Sequence, residues 1–173
     1  MRTILVTGPI GSGKSELCRY LSSLDFPVYD CDSRTKMLYS LVPGLKCSIE
    51  ERLGIPWQRI GSVFAEPDKL RTLEEMVYPH VLEDLKAWKA AQTAPLVFVE
   101  SAVALDKPQF DGLYDRVLLV TAPYELRVKR NPRAAERDAL QHFDPARIDL
   151  TVVNDGTQEE LYLKTRQLLC KLI

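Results

Sequence analysis

The sequence predicts an α/β fold, a parallel five-stranded sheet covered by helices on both faces to give three layers. Two observations carry that prediction. Apolar, β-branched runs recur at 3–7, 28–30, 96–100, 117–121 and 151–154, with helically patterned stretches between them. Strands that alternate with helices in this way build parallel sheets buried on both sides. In addition, Gly8-Pro9-Ile10-Gly11-Ser12-Gly13-Lys14-Ser15 spells G-x-x-x-x-G-K-S directly after Ile4-Leu5-Val6. A buried strand thus feeds a glycine-rich turn, and Lys14 opens a helix.

The elements follow in order. The first helix is expected over 14–23, after the glycine-rich turn. The second strand ends in Val28-Tyr29-Asp30-Cys31-Asp32, and a helix follows in which Asp32 precedes Ser33-Arg34-Thr35-Lys36-Met37-Leu38 and caps it. Residues 43–64 carry Pro43-Gly44, Gly54, Pro56 and Gly61, and so read as short helices and turns. A long helix should span 67–92, with Leu70, Leu73, Val77, Val81 and Leu85 as its apolar stripe; Pro79 inside it implies a kink or a break. Residues 127–147 hold Arg127, Lys129, Arg130, Arg133, Arg137 and Arg147. Asn131-Pro132 starts a short helix there that ends near Gln141, with Arg133 and Arg137 on one face. The last helix, 158–172, buries Leu161, Leu168, Leu169 and Leu172.

This pattern makes 1–173 a single domain. Its core is 1–30, 95–126 and 148–173, its helical substrate-side insert is 31–92, and its short basic lid is 127–147. A chain of 173 residues with 46% hydrophobic and 27% charged content suits one such core. A net charge of −1 gives no basic field for nucleic acid or a membrane surface. Cys18, Cys31, Cys47 and Cys170 form no C-x-x-C pair and no metal-ligand spacing with His80 or His142. They read as thiols of a reducing compartment. With no signal peptide and no apolar run long enough to span a bilayer, a cytoplasmic protein is expected.

The glycine-rich turn is a phosphate loop. The first N–H groups of the helix that it opens have no intrahelical partner, and with the positive end of the helix dipole they attract a nucleotide's phosphates. Gly11 and Gly13 let the backbone wrap closely, Lys14 reaches the β/γ-phosphates, and the Ser15 hydroxyl is the candidate Mg²⁺ ligand. The sequence lacks the N-K-x-D motif of GTPases and the L-S-G-G-Q signature of transporter ATPases, and it is too short for a motor or helicase core. A small phosphotransferase remains. Asp30 and Asp32 lie at a strand's carboxyl end, where parallel sheets bind ligands. A carboxylate there can accept a hydroxyl's proton, and Asp32 can equally serve as a helix cap. The basic stretch reads as a solvated surface helix or, beside a triphosphate site, as a lid that closes on charge.

With those residues in view, the chain resembles the dephospho-CoA kinase family. Thr7 to Ser15 is similar to the family's T-G-G-I-G-S-G-K-S, and Val28-Tyr29-Asp30-Cys31-Asp32 to its V-I-D-A-D. Val63-Phe64 with Leu73-Glu74, Val77 and Pro79 resembles V-F … L-E-x-I-x-H-P-x-V. Glu100-Ser101-Ala102 is similar to an E-S-A variant, Asp115-Arg116-Val117 and Val120-Thr121-Ala122-Pro123 to D-R-V … V-x-A-P, and Val153-Asn154-Asp155-Gly156-Thr157 to the terminal V-I-x-N-x-G turn. The order is preserved across nearly the whole chain. Three departures stand out: Tyr78 replaces the family's histidine before Pro79, Glu16 replaces Ser or Thr after G-K-S, and the lid is short.

The resemblance implies a three-layer P-loop NTPase fold and transfer of the ATP γ-phosphate to the ribose 3′-hydroxyl of dephospho-CoA. It implies ATP and Mg²⁺ as cofactors, a small-molecule partner without nucleic acid or membrane, and a monomer or weak homo-oligomer. The implied nucleotide contacts are Gly11, Ser12, Gly13, Lys14, Ser15, Glu16 and Asn154, the turn at 154–157 lying near adenine through backbone groups. Asp32 is the implied base. Thr7, Asp32, Arg59 and Glu100 are implied on the substrate side, Arg59 standing for the family's substrate-side arginine and Glu100 holding a Mg²⁺-bound water. Arg133 and Arg137 are implied to neutralise charge on the transferring phosphoryl group. The alternatives are another small-molecule or nucleoside kinase of the same fold, or a catalytically impaired nucleotide-binding module.

Overall fold

Strand β1 (Arg2–Thr7) runs through the middle of the molecule's sheet, apolar on both faces, with Ile4, Leu5 and Val6 fully buried. The computed structural model describes residues 1–137 and 143–172, and of Arg137 the backbone alone. Four further strands flank β1: β2 (Val28–Asp30), β3 (Leu96–Glu100), β4 (Arg116–Thr121) and β5 (Leu150–Val153). All pairs are parallel, in the order β2-β3-β1-β4-β5. The chain therefore moves outward from β1 to β2, returns to β3, and then crosses to the opposite side for β4 and β5. Such a reversal leaves a crevice at the strands' carboxyl ends.

The chain divides into two compact units, Met1–Asp30 with Gln92–Ile173, and Cys31–Ala91. In the first, α1 (Lys14–Ser23) and α7 (Gln158–Leu172) pack on the sheet. Leu17, Cys18 and Leu21 of α1 meet Ile4, Val6, Phe98, Leu118 and Val120 of the strands, and Leu161, Leu168, Leu169 and Leu172 of α7 complete this core. Leu5, Val97 and Val99 point to the other face by strand alternation, and all are buried.

The second unit is helical: α2 (Cys31–Leu41), α3 (Leu45–Leu53), a 3-10 helix Trp57–Ala65 and α4 (Pro67–Ala90). Helix α4 buries Leu73, Val77, Val81 and Leu85 of the expected stripe, with Leu70 only half-buried, and runs unbroken through Pro79. The break does not occur because Pro79 and Glu75 both lie on the exposed face. Arg34 clamps α2 to α4, its Nε donating to Asp84 Oδ2 at 2.8 Å and its terminal nitrogen to Oδ1 at 2.5 Å. Asp32 is not the cap of α2. The helix starts at Cys31, directly after β2, so Asp32 already stands in the first helical turn, where its charge favours the dipole.

Between β4 and β5 the basic stretch folds as α5 (Tyr124–Arg130) and α6 (Ala134–Arg137). Pro132 and Arg133 form a turn rather than the helix start. Asn131 Oδ1 accepts from the Arg133 N–H at 3.0 Å, a local bond that postpones the helix to Ala134. The expected helix end at Gln141, and His142 beside it, lie outside the described residues. No helix among the described residues is long and apolar enough to cross a membrane.

Candidate active site

The phosphate loop, residues 8–15, joins the carboxyl end of β1 to the first turn of α1. Its path is one that only glycine permits at three points: Gly8, with φ +146° and a Cβ position 2.0 Å from the Val120 carbonyl oxygen, and Gly11 and Gly13. Gly11 has φ +76°, and a Cβ there would lie 2.6 Å from the Arg127 carbonyl oxygen on α5. Gly13 has φ +99°, and its Cβ would lie 2.2 Å from Asn154 Nδ2. The loop is therefore seated between α5 and the end of β5, closer than any side chain allows.

Asn154 holds it there. Its buried side chain donates from Nδ2 to the Ser12 carbonyl at 2.9 Å, while its own N–H donates to Thr121 O at 2.7 Å. Arg130 donates to the Asn154 carbonyl at 3.2 Å. The Asn154 side chain thus ties the turn after β5 to the loop. Among the described residues, the buried hydroxyls of Thr7 and Ser12 have no hydrogen-bond partner. Such orphaned groups beside an anion-binding loop are unusual in a folded interior.

At the mouth of the loop, the Ser15 hydroxyl donates to Glu100 Oε1 at 2.6 Å. Glu100 ends β3, and the sheet register pairs it with Val6 of β1 and Asp30 of β2. Burial pushes the Glu100 carboxyl above its ordinary value and the Asp30 charge adds to that; the Ser15 bond and the Lys14 charge oppose it. Cys18 is buried next to Glu100, and burial with that carboxylate drives its thiol far upward, so it stays protonated. Lys14 Nζ donates to Pro9 O at 3.4 Å, a long bond that keeps the ammonium over the loop. Hydroxyl, ammonium and two carboxylates converge, as the chemistry of a bound polyphosphate and cation requires.

The remaining residues are distributed as follows. Glu16 is in the first turn of α1, but its carboxylate is engaged by Tyr162, Gln158 and Arg19. Its backbone N–H is therefore what it can offer a phosphate. Arg133 is exposed, and the side chain of Arg137 lies outside the described residues. Asp32 and Arg59 are both exposed in the Cys31–Ala91 unit. Sequence reasoning missed Arg127, which is 7% exposed, donates from Nε to Ala122 O at 3.1 Å and lies over the Tyr124 ring. Its signal was one of six basic residues in a row of charges, and nothing local marks it as the buried one.

The family model and the curated relatives point to one family. The dephospho-CoA kinase family model matches residues 59–151. The dephospho-CoA kinase of Porphyromonas gingivalis is 34% identical over 139 residues, covering 75% of this chain and 68% of that protein. The dephospho-CoA kinase of Thermus thermophilus is also 34% identical, over 137 residues, and is covered for 64% of its length. A crystal structure from Thermus thermophilus superposes with a TM-score of 0.81 at 29% identity, covering 99% of this chain and 98% of that one.

Proposed function

The chain belongs to the dephospho-CoA kinase family, whose activity is the ATP-dependent phosphorylation of dephospho-CoA, and on that premise we propose that it moves the γ-phosphoryl group of ATP to the ribose 3′-hydroxyl, yielding coenzyme A and ADP. One observation carries the reading: the glycine-bounded loop, braced by Asn154, presents Lys14 and Ser15 beside a half-buried Glu100. In this reading the loop amides of Gly11, Ser12 and Gly13 and the first N–H groups of α1 bind the phosphate oxygens.

Mg²⁺ fits the donor set. Among the described residues no three His, Cys, Asp or Glu side chains form a cage that could hold a metal. The Ser15 hydroxyl with the Glu100 and Asp30 carboxylates offers a few hard oxygen atoms, the kind of partial shell suited to a cation that keeps waters and phosphate ligands. Once bound, the ion would neutralise phosphate charge. Ser15 would be its direct protein ligand, and Glu100 would orient a bound water.

Asp32 accepts the proton of the attacking hydroxyl as its oxygen bonds to the γ-phosphorus. The bond from that phosphorus to the β-bridging oxygen breaks, and its electron pair leaves with ADP. Lys14, Arg133 and Arg137 offset the charge spread over the transferring group. Thr7 shapes the loop from below, its side chain fully buried, and Arg59 binds the acceptor. A reducing cytoplasm suits the reading, since Cys18 and Cys31 are buried free thiols.

The test is coupled ADP release across acceptors. Dephospho-CoA should be phosphorylated far faster than AMP, adenosine or shikimate. Equal turnover of another acceptor would assign the chain a different substrate, and no turnover with intact ADP binding would mark an impaired binding module.

A further inference from the structure

Glu16 is the third residue of α1, inside the turn whose free N–H groups and positive dipole recruit phosphate. A carboxylate there carries the ligand's own sign and competes for the same dipole. The side chain is drawn aside. The Tyr162 hydroxyl donates to Glu16 Oε1 at 2.5 Å, the Gln158 amide donates to that same oxygen, and the Arg19 guanidinium pairs with Oε2. Gln158 also donates to the Tyr162 hydroxyl at 2.5 Å. The Tyr162 ring is stacked on Tyr20 of α1, centroids 4.0 Å apart and planes 6° from parallel.

That stack distinguishes the arrangement from an ordinary surface ion pair. An exposed Arg19–Glu16 pair one helical turn apart contributes little by itself. A ring held flat against its neighbour presents its hydroxyl in a fixed direction, and side-chain entropy no longer opposes the bond. The Tyr162 bond is also the main cause that holds the Glu16 carboxyl below its ordinary value, so the group is an anion at neutral pH.

We propose that Tyr162 and Gln158 of α7, with Arg19 of α1, form a clamp that holds the Glu16 carboxylate against α7 and thereby sets this chain's affinity for the phosphate chain of its nucleotide. Tyr162 is a positioning residue: it acts through Glu16 and touches no reacting atom. The clamp accounts for an acidic residue directly after the G-K-S of a phosphate loop. Its premise is the reading of residues 8–15 as a nucleotide's phosphate site.

The test substitutes Tyr162→Phe, which keeps the stacked ring and removes the hydroxyl. Calorimetric ADP affinity should weaken, and ATP KM should rise, by about three- to tenfold, the range of one partly screened like-charge contact. Adenosine affinity should not move, and kcat should stay within about twofold. Glu16→Gln removes the charge, so E16Q/Y162F should bind ADP as E16Q does. Gln158→Ala, at an exposed position, should shift ADP affinity in the same direction by less, and it serves if Tyr162→Phe folds poorly. An unchanged ADP affinity in both α7 variants would overturn the clamp. So would an equal loss for adenosine, or the same loss on the E16Q background. Failure of the unaltered protein to bind ADP would instead overturn the phosphate-loop reading, and the clamp with it.

Discussion

Gly13→Ala should damage this protein through one identifiable collision. The residue has φ 99° and ψ 17°, a left-handed conformation that costs an alanine about 1–2 kcal/mol. The new Cβ would also sit 2.2 Å from Asn154 Nδ2, so the amide must leave and its bond to the Ser12 carbonyl breaks. Ser12 is fully buried, so no water replaces the lost donor. An unsatisfied buried carbonyl costs about 1–3 kcal/mol, and the two effects sum to about 2–5 kcal/mol. For a chain of this size that is a fall in Tm of roughly 5–20 °C.

The assay is a double-mutant cycle by thermal or urea unfolding. On an Asn154→Ala background the collision partner is gone, and the neighbour that remains is Leu161 Cδ2 at 3.9 Å. Gly13→Ala should then cost the backbone strain alone, a coupling of about 1–3 kcal/mol. Gly54→Ala is the control: its φ is +65° with nothing within 4 Å of a Cβ, so about 1 kcal/mol is expected. Strict additivity of Gly13→Ala and Asn154→Ala would refute the brace. So would a Gly13→Ala penalty no larger than that of Gly54→Ala.

Lys14→Ala should remain folded by circular dichroism, yet it should lose about 100-fold or more of its ATP turnover, because it removes the ammonium held over the loop. Asp32→Asn should slow single-turnover phosphoryl transfer by about 10²–10⁴-fold while ATP affinity is kept; since Asp32 is not the cap of α2, Tm should barely change, and an unchanged rate would remove it as the base. Glu100→Gln should raise Tm at pH 7–8, because the native carboxyl titrates above its ordinary 4.5 and its ionised form is disfavoured by burial. The folded state then binds more protons than the unfolded, so wild-type stability is lost as pH rises through the native value. The variant's advantage should accordingly vanish below about pH 4; a gain that persists in acid would show another cause.

The phosphate loop was legible because everything that makes it is contiguous: an apolar strand, a glycine-rich turn over residues 8–13, and a helix start, each dictated by its own sequence. The parallel sheet and the stripe of α4 were legible for the same reason, since periodicity is a local property. Local rules failed where surroundings overrode them. Pro79 is tolerated because its side of α4 faces water, and Asp32 does not cap because α2 begins without an intervening loop. Nothing in the sequence marks Ser15 for Glu100, 85 residues away, Asn154 for Ser12, 142 away, or Tyr162 for Glu16, 146 away. Those pairings exist because the crossover from β1 to β2 and back brings β3 beside β1, and because α7 returns to pack against α1. Residue types and spacing determined what chemistry the chain can perform. The packing of distant segments decided which hydroxyl meets which carboxylate, since hydrogen bonds and charges act over a few ångströms of space and are indifferent to separation along the chain.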